Sequence, residues 1–276
     1  AAVSAPPATA TADGTLNAGQ KRALERVLAG ESVFITGAAG TGKTFLLRRI
    51  IDALAARFGA TENDGTVPVT APTGIAASHL GGQTIHSWAG IGLGKGGVDK
   101  LLPKVLSNEA AVGRWRRAAA LVIDEVSMLD GSLFTALEAI GRAARGASAP
   151  FGGLQLVLCG DFFQLPPVSL AYAGFAFESA AWSSCRVTTH ALTEIVRQQG
   201  DSAFISLLNE LRIGVCSPAT TAALAACHVG VKPRPSDGIV PTRLYCTNKD
   251  VDAENRTHLH ALPGETMPFH ATDVFK

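Results

Sequence analysis

The chain has 276 residues, 47% of them hydrophobic and 17% charged, and its 24 basic and 23 acidic residues leave a formal net charge of +1. That length supports one large core or two medium ones, and the balanced charge excludes a broadly cationic surface, so any site for a polyanion must be local. The five cysteines never form CxxC, which argues against a disulfide framework or a zinc site and for a reducing compartment, and no apolar run nears the roughly 18 residues of a membrane span.

Residues 1–15 are rich in Ala, Pro and Thr and read as a disordered linker. No Met opens the chain, so an excised piece is expected, with room for a targeting peptide before it. Apolar periodicity then predicts a helix over 18–29, a strand over 33–37, a helix over 44–58 and a strand over 67–72. The Gly- and Lys-rich stretch from Gly90 to Arg117 breaks the rhythm and is expected to project from the sheet as an insertion. Strands follow at 120–125, 154–161 and 187–194, with a helix over 132–145. From near Leu192 a weaker pattern begins: a helix at 202–212, a strand at 242–248, a helix at 251–261 and a strand from Met267. This is expected to be a second domain cut off partway.

Such alternation predicts an α/β fold, a parallel sheet covered on both faces. Right-handed crossovers bring the strand C-termini to one edge, where ligands bind. Four chemically distinctive stretches fall at strand ends: Gly37–Thr44, Pro72, Asp124-Glu125 and Asp161–Gln164.

The first, Gly37-Ala38-Ala39-Gly40-Thr41-Gly42-Lys43-Thr44, fits GxxxxGK[ST] at every fixed position. A strand, a glycine loop and a helix N-terminus let backbone N–H groups converge on a phosphate chain. Lys43 is expected to reach the β- and γ-phosphates of a nucleoside triphosphate, and the Thr44 hydroxyl to hold Mg²⁺. Asp124 is expected to hold the same ion and Glu125 to take a proton from the attacking water. Gln164 suits a hydrogen bond to a γ-phosphate or its water, or else caps the turn before Pro166-Pro167. Arg197, at the start of the second domain, is either a γ-phosphate contact that couples domain closure to chemistry or a solvated helix-start Arg. His258-x-His260 is a weak metal hint with no further ligand in sequence nearby.

Six stretches occur in order: GAAGTGKT, APTGIAA (Ala71–Ala77), GGQTIHSWAGIG (Gly81–Gly92), VIDEVSML (Val122–Leu129), PFGGLQLVLCGDFFQLPPV (Pro150–Val168) and LTEIVRQ (Leu192–Gln198). Together they resemble the PIF (petite integration frequency) helicase family, a RecD-like branch of superfamily-one helicases. Asp130 to Gly152, with Phe134, Leu137, Glu138, Arg142 and Arg145, resembles that family's signature. The resemblance covers nearly everything from Leu16 onward. It implies a P-loop, RecA-like motor domain over 16–190, with a wedge-like insertion at 93–117, and the start of a second one over 191–276. It also implies ATP and Mg²⁺ as cofactors, 5′-to-3′ movement on single-stranded DNA, and duplex or forked DNA as partner. Gln20, in Leu16-Asn17-x-x-Gln20, looks like the family's adenine reader. The later motifs of the family are absent, which puts unwinding or hydrolysis by this stretch alone in question. Replication, repair, recombination or telomere maintenance, in nucleus or mitochondrion, is the implied setting.

A single-strand motor needs contacts indifferent to base identity. Pro72-Thr73-Gly74 offers an N–H-rich helix start to a phosphate, and Thr84, His86 and Ser87 add polar groups. By resemblance Thr73 and His86 lie along the DNA. Trp88 is either a stacking platform or core. Arg114, Arg116 and Arg117 read as a solvated face. Three rivals remain at this point: a switch GTPase, whose nearest guanine-reading stretch, Asn248-Lys249-Asp250-Val251, fails at its last position; an ATPase that moves protein; and a non-catalytic DNA-binding fragment.

Overall fold

The computed structural model describes residues 15–61, 64–167, 174–196, 201–228, 230–232, 241–264, 267, 269–270 and 272. They divide into two units that meet between Thr221 and Ala222.

In chain order the elements of the first unit are α1 (Ala18–Leu28), β1 (Val33–Gly37), α2 (Lys43–Phe58), β2 (Val69–Ala71), α3 (Gly74–Ser78), β3 (Gln83–Thr84), α4 (Ile85–Ala89), α5 (Gly97–Leu106), α6 (Glu109–Arg117), β4 (Ala120–Ile123), α7 (Gly131–Arg145), β5 (Gln155–Cys159), α8 (Ala180–Ser184), β6 (Thr188–Leu192) and α9 (Ser202–Arg212). The helix α10 (Pro218–Ala226) crosses the division, and α11 (Asn248–His260) lies in the second unit.

The strands form one six-stranded sheet in the order β3-β2-β4-β5-β1-β6, and every pairing is parallel. Alternate side chains point to opposite faces. Val33 and Ile35 of β1, Val122 of β4 and Val157 of β5 face α1 and α2, where Ala23, Val27, Leu46, Leu47, Ile50 and Leu54 are buried. Phe34, Leu121, Ile123, Leu156 and Leu158 face the other way, into a core built on Trp88, Trp115, Phe134 and Phe151. This two-sided burial is why the strands read as unbroken apolar runs and not as alternating ones.

The segment at 93–117 does not project. Leu101 and Val105 of α5 and Ala111 and Trp115 of α6 belong to the same buried cluster as the sheet residues. The Trp115 ring centroid lies 4.4 Å from that of Trp88 and 6.5 Å from that of Phe151. An amphipathic helix pair buries its apolar stripe against the nearest open core, and here that core is the sheet face. The arginines at the end of α6 hold backbone: Arg114 Nε donates to the Trp88 carbonyl at 2.7 Å and Arg116 Nε to that of Ala144 at 2.8 Å. Trp88 is therefore core, 1% exposed.

The family-like signature also has a packing role. Phe134 and Leu137 are fully buried, and Glu138 pairs with Arg142 at 2.8 Å. Arg145 donates to the carbonyls of Trp115 and Ala118, each at 2.7 Å, and to that of Gly152 at 2.9 Å. It thus closes the C-terminal end of α6, where carbonyls lack helical partners.

In the second unit, Thr247 caps α11, and Glu254 on that helix meets Arg243 at 2.7 Å and His258 at 3.1 Å. The strand expected at 242–248 is not there: residues 241–245 have no regular structure and α11 starts at Asn248. An extended segment becomes a strand only when a neighbour takes its backbone hydrogen bonds, and none pairs with it among the described residues. Of the strand expected from Met267, most lies outside the described residues. No described helix is long and apolar enough to cross a membrane.

Candidate active site

Because every strand is parallel, all C-termini emerge along one edge, and the strand order decides who meets whom. β5 lies between β4 and β1. Asp161–Gln164, which follow β5, therefore sit between the glycine loop after β1 and Asp124-Glu125 after β4. On the far side of β4 lie β2, which runs into Pro72-Thr73-Gly74, and β3, which runs into His86.

The glycine loop is tightly closed. Gly37, Gly40 and Gly42 all have positive φ, at 156°, 84° and 80°. A Cβ on Gly37 would stand 2.6 Å from the Leu192 carbonyl, and one on Gly42 2.6 Å from Gln20 Nε2. Only glycine fits such approaches. Lys43 opens α2, and its Nζ donates to the carbonyls of Gly37 at 2.7 Å and Ala38 at 3.2 Å. Thr41 is buried, with its hydroxyl on the Ala38 carbonyl at 2.9 Å; Ala38 is half-buried, and Ala39 and Thr44 are exposed. The cradle, the ammonium and the free N-terminal N–H groups of α2 form a donor set that fits a polyphosphate.

Gln20 is 1% exposed. Its Oε1 accepts from the Asn17 N–H at 3.0 Å in the cap of α1, and its Nε2 reaches the Thr41 carbonyl at 3.4 Å. It stands against the glycine loop, with Oε1 held by the cap and Nε2 by Thr41. A further tie comes from after β6: the Val196 N–H donates to the Gly40 carbonyl at 2.8 Å. Arg197, the next residue, lies outside the described residues.

Asp124 is buried. Burial pushes its carboxyl up, against the opposing pull of the Glu125 N–H, the Cys159 thiol and the Lys43 ammonium. Cys159 is itself fully buried, and burial holds it well above the usual thiol range, so it stays protonated and donates to Asp124. Glu125 has φ 50°, a left-handed conformation costly for a residue with a Cβ. Burial and then the Asp124 charge raise its carboxyl, while Lys43 lowers it. A carboxylate of raised pKa is a better proton acceptor. Thr44 and Asp124 carry side-chain oxygens of the kind that could hold a magnesium ion.

Two residues here escaped sequence reasoning. Arg212, at the end of α9, grips Asp161 with two 2.8 Å bonds, 51 positions away in sequence and with no spacing to announce it. Cys159 lies inside the apolar run of β5, where nothing in the sequence marks it. Gln164 lies at the edge after β5, with its backbone N–H on the Asp161 carbonyl at 2.9 Å and its Nε2 on Asp161 Oδ2 at 3.1 Å, bonds that also close the turn before Pro166-Pro167.

Along the β2–β3 half, Pro72 is half-buried and Gly74 exposed. Thr73 Oγ1 caps α3 through the Ala76 N–H at 3.3 Å, and Thr84 Oγ1 caps α4 through the Ser87 N–H at 3.2 Å. The two caps aim helix starts at the edge. The exposed Ser87 hydroxyl meets Gln83 Oε1 at 3.2 Å. Burial lowers the His86 pKa despite the Asp130 charge, which favours the neutral ring.

Residues 15–222 match the family model described as PIF1-like helicase. The chain is 46% identical over 247 residues to the ATP-dependent DNA helicase PIF1 of Saccharomyces cerevisiae, covering 88% of this chain and 28% of that protein. It therefore spans under a third of that relative. Among solved structures it resembles the Pif1 helicase of Candida albicans, with TM-score 0.82 and 45% identity over 91% of this chain and 56% of that one. It also resembles the Bacteroides Pif1 helicase in complex with ADP-AlF3 and single-stranded DNA, with TM-score 0.72 and 27% identity over 91% and 58% of the two chains.

Proposed function

This chain belongs to the PIF1-like helicase family, and on that premise we propose that it carries the ATP-hydrolysing motor of a 5′-to-3′ DNA helicase that moves on single strands and opens duplex or forked DNA. One observation carries the proposal. A single sheet edge presents, in order, the polar helix starts after β3 and β2, the carboxylates after β4, Gln164 after β5 and the glycine loop after β1. The phosphate-handling half and the DNA-facing half thus abut at β4, so a displacement in one is felt in the other.

In this reading Gln20 meets the adenine, Lys43 and the loop amides hold the phosphates, and Thr44 with Asp124 hold the metal. Bound Mg²⁺ neutralises charge building on the phosphate oxygens. Glu125 takes the proton of the attacking water, and Gln164 orients that water. Arg197 contacts the γ-phosphate from the segment after β6; the chain divides into two units between Thr221 and Ala222 and not near residue 191. Pro72, Thr73, Gly74, Thr84, His86 and Ser87 track the strand, with the helix pair within 93–117 beside the duplex junction. The work is proposed to lie in replication, repair, recombination or telomere maintenance, in nucleus or mitochondrion. The Bacteroides relative, solved with a nucleotide analogue and single-stranded DNA together, supports both ligands.

The test is ATP turnover by the complete protein with and without single-stranded DNA. Stimulation is expected, with DNA affinity falling with salt at a slope of about −0.7 per phosphate neutralised. Absence of stimulation at every salt concentration would refute the DNA motor and favour action on protein.

A further inference from the structure

Asp161 is a single carboxylate, 1% exposed, gripped from several sides. Arg212 binds it with two prongs, Nη2 to Oδ1 and Nε to Oδ2, both at 2.8 Å. The Phe163 N–H donates to Oδ1 at 3.2 Å and Gln164 Nε2 to Oδ2 at 3.1 Å. The Arg212 guanidinium carbon also lies 4.5 Å from the centre of the Phe163 ring, which fixes it from a second direction. Burial pushes the Asp161 carboxyl up, but the bonds from Arg212, Gln164 and Phe163 outweigh it and the net direction is down.

An ionised carboxylate only accepts hydrogen bonds. That settles the orientation of the Gln164 amide: its NH₂ faces Asp161, and Oε1 is the end left for something else. Gln164 and Arg212 bring their polar groups to a mainly apolar cavity of about 190 Å³ lined by Ala38 and Ala39 of the glycine loop, Phe163, Ile195, Ile205, Leu208 and Asn209. The cavity sets Gln164 beside the glycine loop, and Oε1 is the amide end not turned to Asp161. An acceptor repels phosphate oxygens and suits the O–H of a water.

We propose that Arg212 is a positioning residue for ATP hydrolysis: it holds Asp161, and through Asp161 it turns the Gln164 amide so that Oε1 receives the attacking water. The proposal rests on the motor reading and says which of the two Gln164 roles applies. It also gives α9 a stake in catalysis, since a shift of that helix pulls on Asp161. Lysine replaces the fork only in part, because a single ammonium cannot hold both oxygens in one plane.

The experiment is a double-mutant cycle in the complete protein, reading DNA-stimulated ATP hydrolysis per competent site, with competent sites counted by stoichiometric binding of a fluorescent ATP analogue. Arg212→Gln is expected to lower kcat about tenfold or more while the KM for ATP moves less than about threefold. Arg212→Lys should recover part of the loss. Adding Arg212→Gln to Gln164→Ala should cost almost nothing further, because the two residues act as one unit. Multiplying losses in the double variant, or an unchanged kcat per competent site in Arg212→Gln, would overturn the proposal. If Arg212→Gln fails to fold, the same cycle runs on Arg212→Lys. A wild-type protein without DNA stimulation would refute the motor itself, whereas a stimulated wild type with multiplying losses would refute only the role of Arg212.

Discussion

Trp115→Ala tests whether the helix pair α5–α6 belongs to the core. Trp115 is fully buried, its ring packs on Trp88 and Phe151, and its Nε1 donates to the Ala89 carbonyl at 3.3 Å. Truncation removes the largest kind of side chain and leaves a cavity that fixed strands and helices cannot collapse. Such changes cost about 3–5 kcal/mol. For a chain of this size each kcal/mol lowers Tm by roughly 2–4 °C, so a fall of roughly 6–20 °C is expected in far-ultraviolet circular dichroism melts. Trp115→Phe keeps most of the packing but loses the hydrogen bond and should cost only about 1–2 kcal/mol. Because Trp88 lies on α4 with His86 and Ser87, the Ala variant should also weaken single-stranded DNA binding at temperatures where it remains folded. A Trp115→Ala protein that melts within about 2 °C of wild type would mean that the segment is a detachable appendage and that the packing argument is wrong.

Lys43→Ala should abolish ATP turnover while leaving the melting curve nearly unchanged, because its partners are loop carbonyls within reach of water; normal turnover would remove the glycine loop from the chemistry. Glu125→Gln should keep nucleotide binding and slow hydrolysis by roughly 10²–10⁴-fold, seen as tight binding in equilibrium titration beside a near-flat phosphate-release trace; parallel loss of both would make Glu125 structural. Asp124→Asn should raise Tm near pH 7 while stopping magnesium-dependent hydrolysis. Burial raises the Asp124 carboxyl in the folded chain, so the folded state resists ionising it: the penalty is absent below the unfolded pKa and fully developed above the folded one. The Tm gain should therefore shrink as pH drops into the ordinary carboxylate range, and a gain constant with pH would contradict the assignment.

The sequence by itself determined the parallel α/β scheme, the glycine loop and the identities of the edge residues, because these are local. A doubly buried strand needs a continuous apolar run, and a phosphate cradle needs glycines and Lys43 within a few residues. The caps of α3 and α4 likewise follow from Thr73 and Thr84. Only the tertiary structure decided three things. It put β5 between β1 and β4, which makes Gln164 a neighbour of both halves of the phosphate site. It folded the helix pair within 93–117 onto the sheet, because Trp115 had an open apolar face to fill. And it brought Arg212 to Asp161 across 51 residues of sequence: charge complementarity between distant positions has no period or spacing to read, and it becomes visible only where the chain has already brought the two groups together.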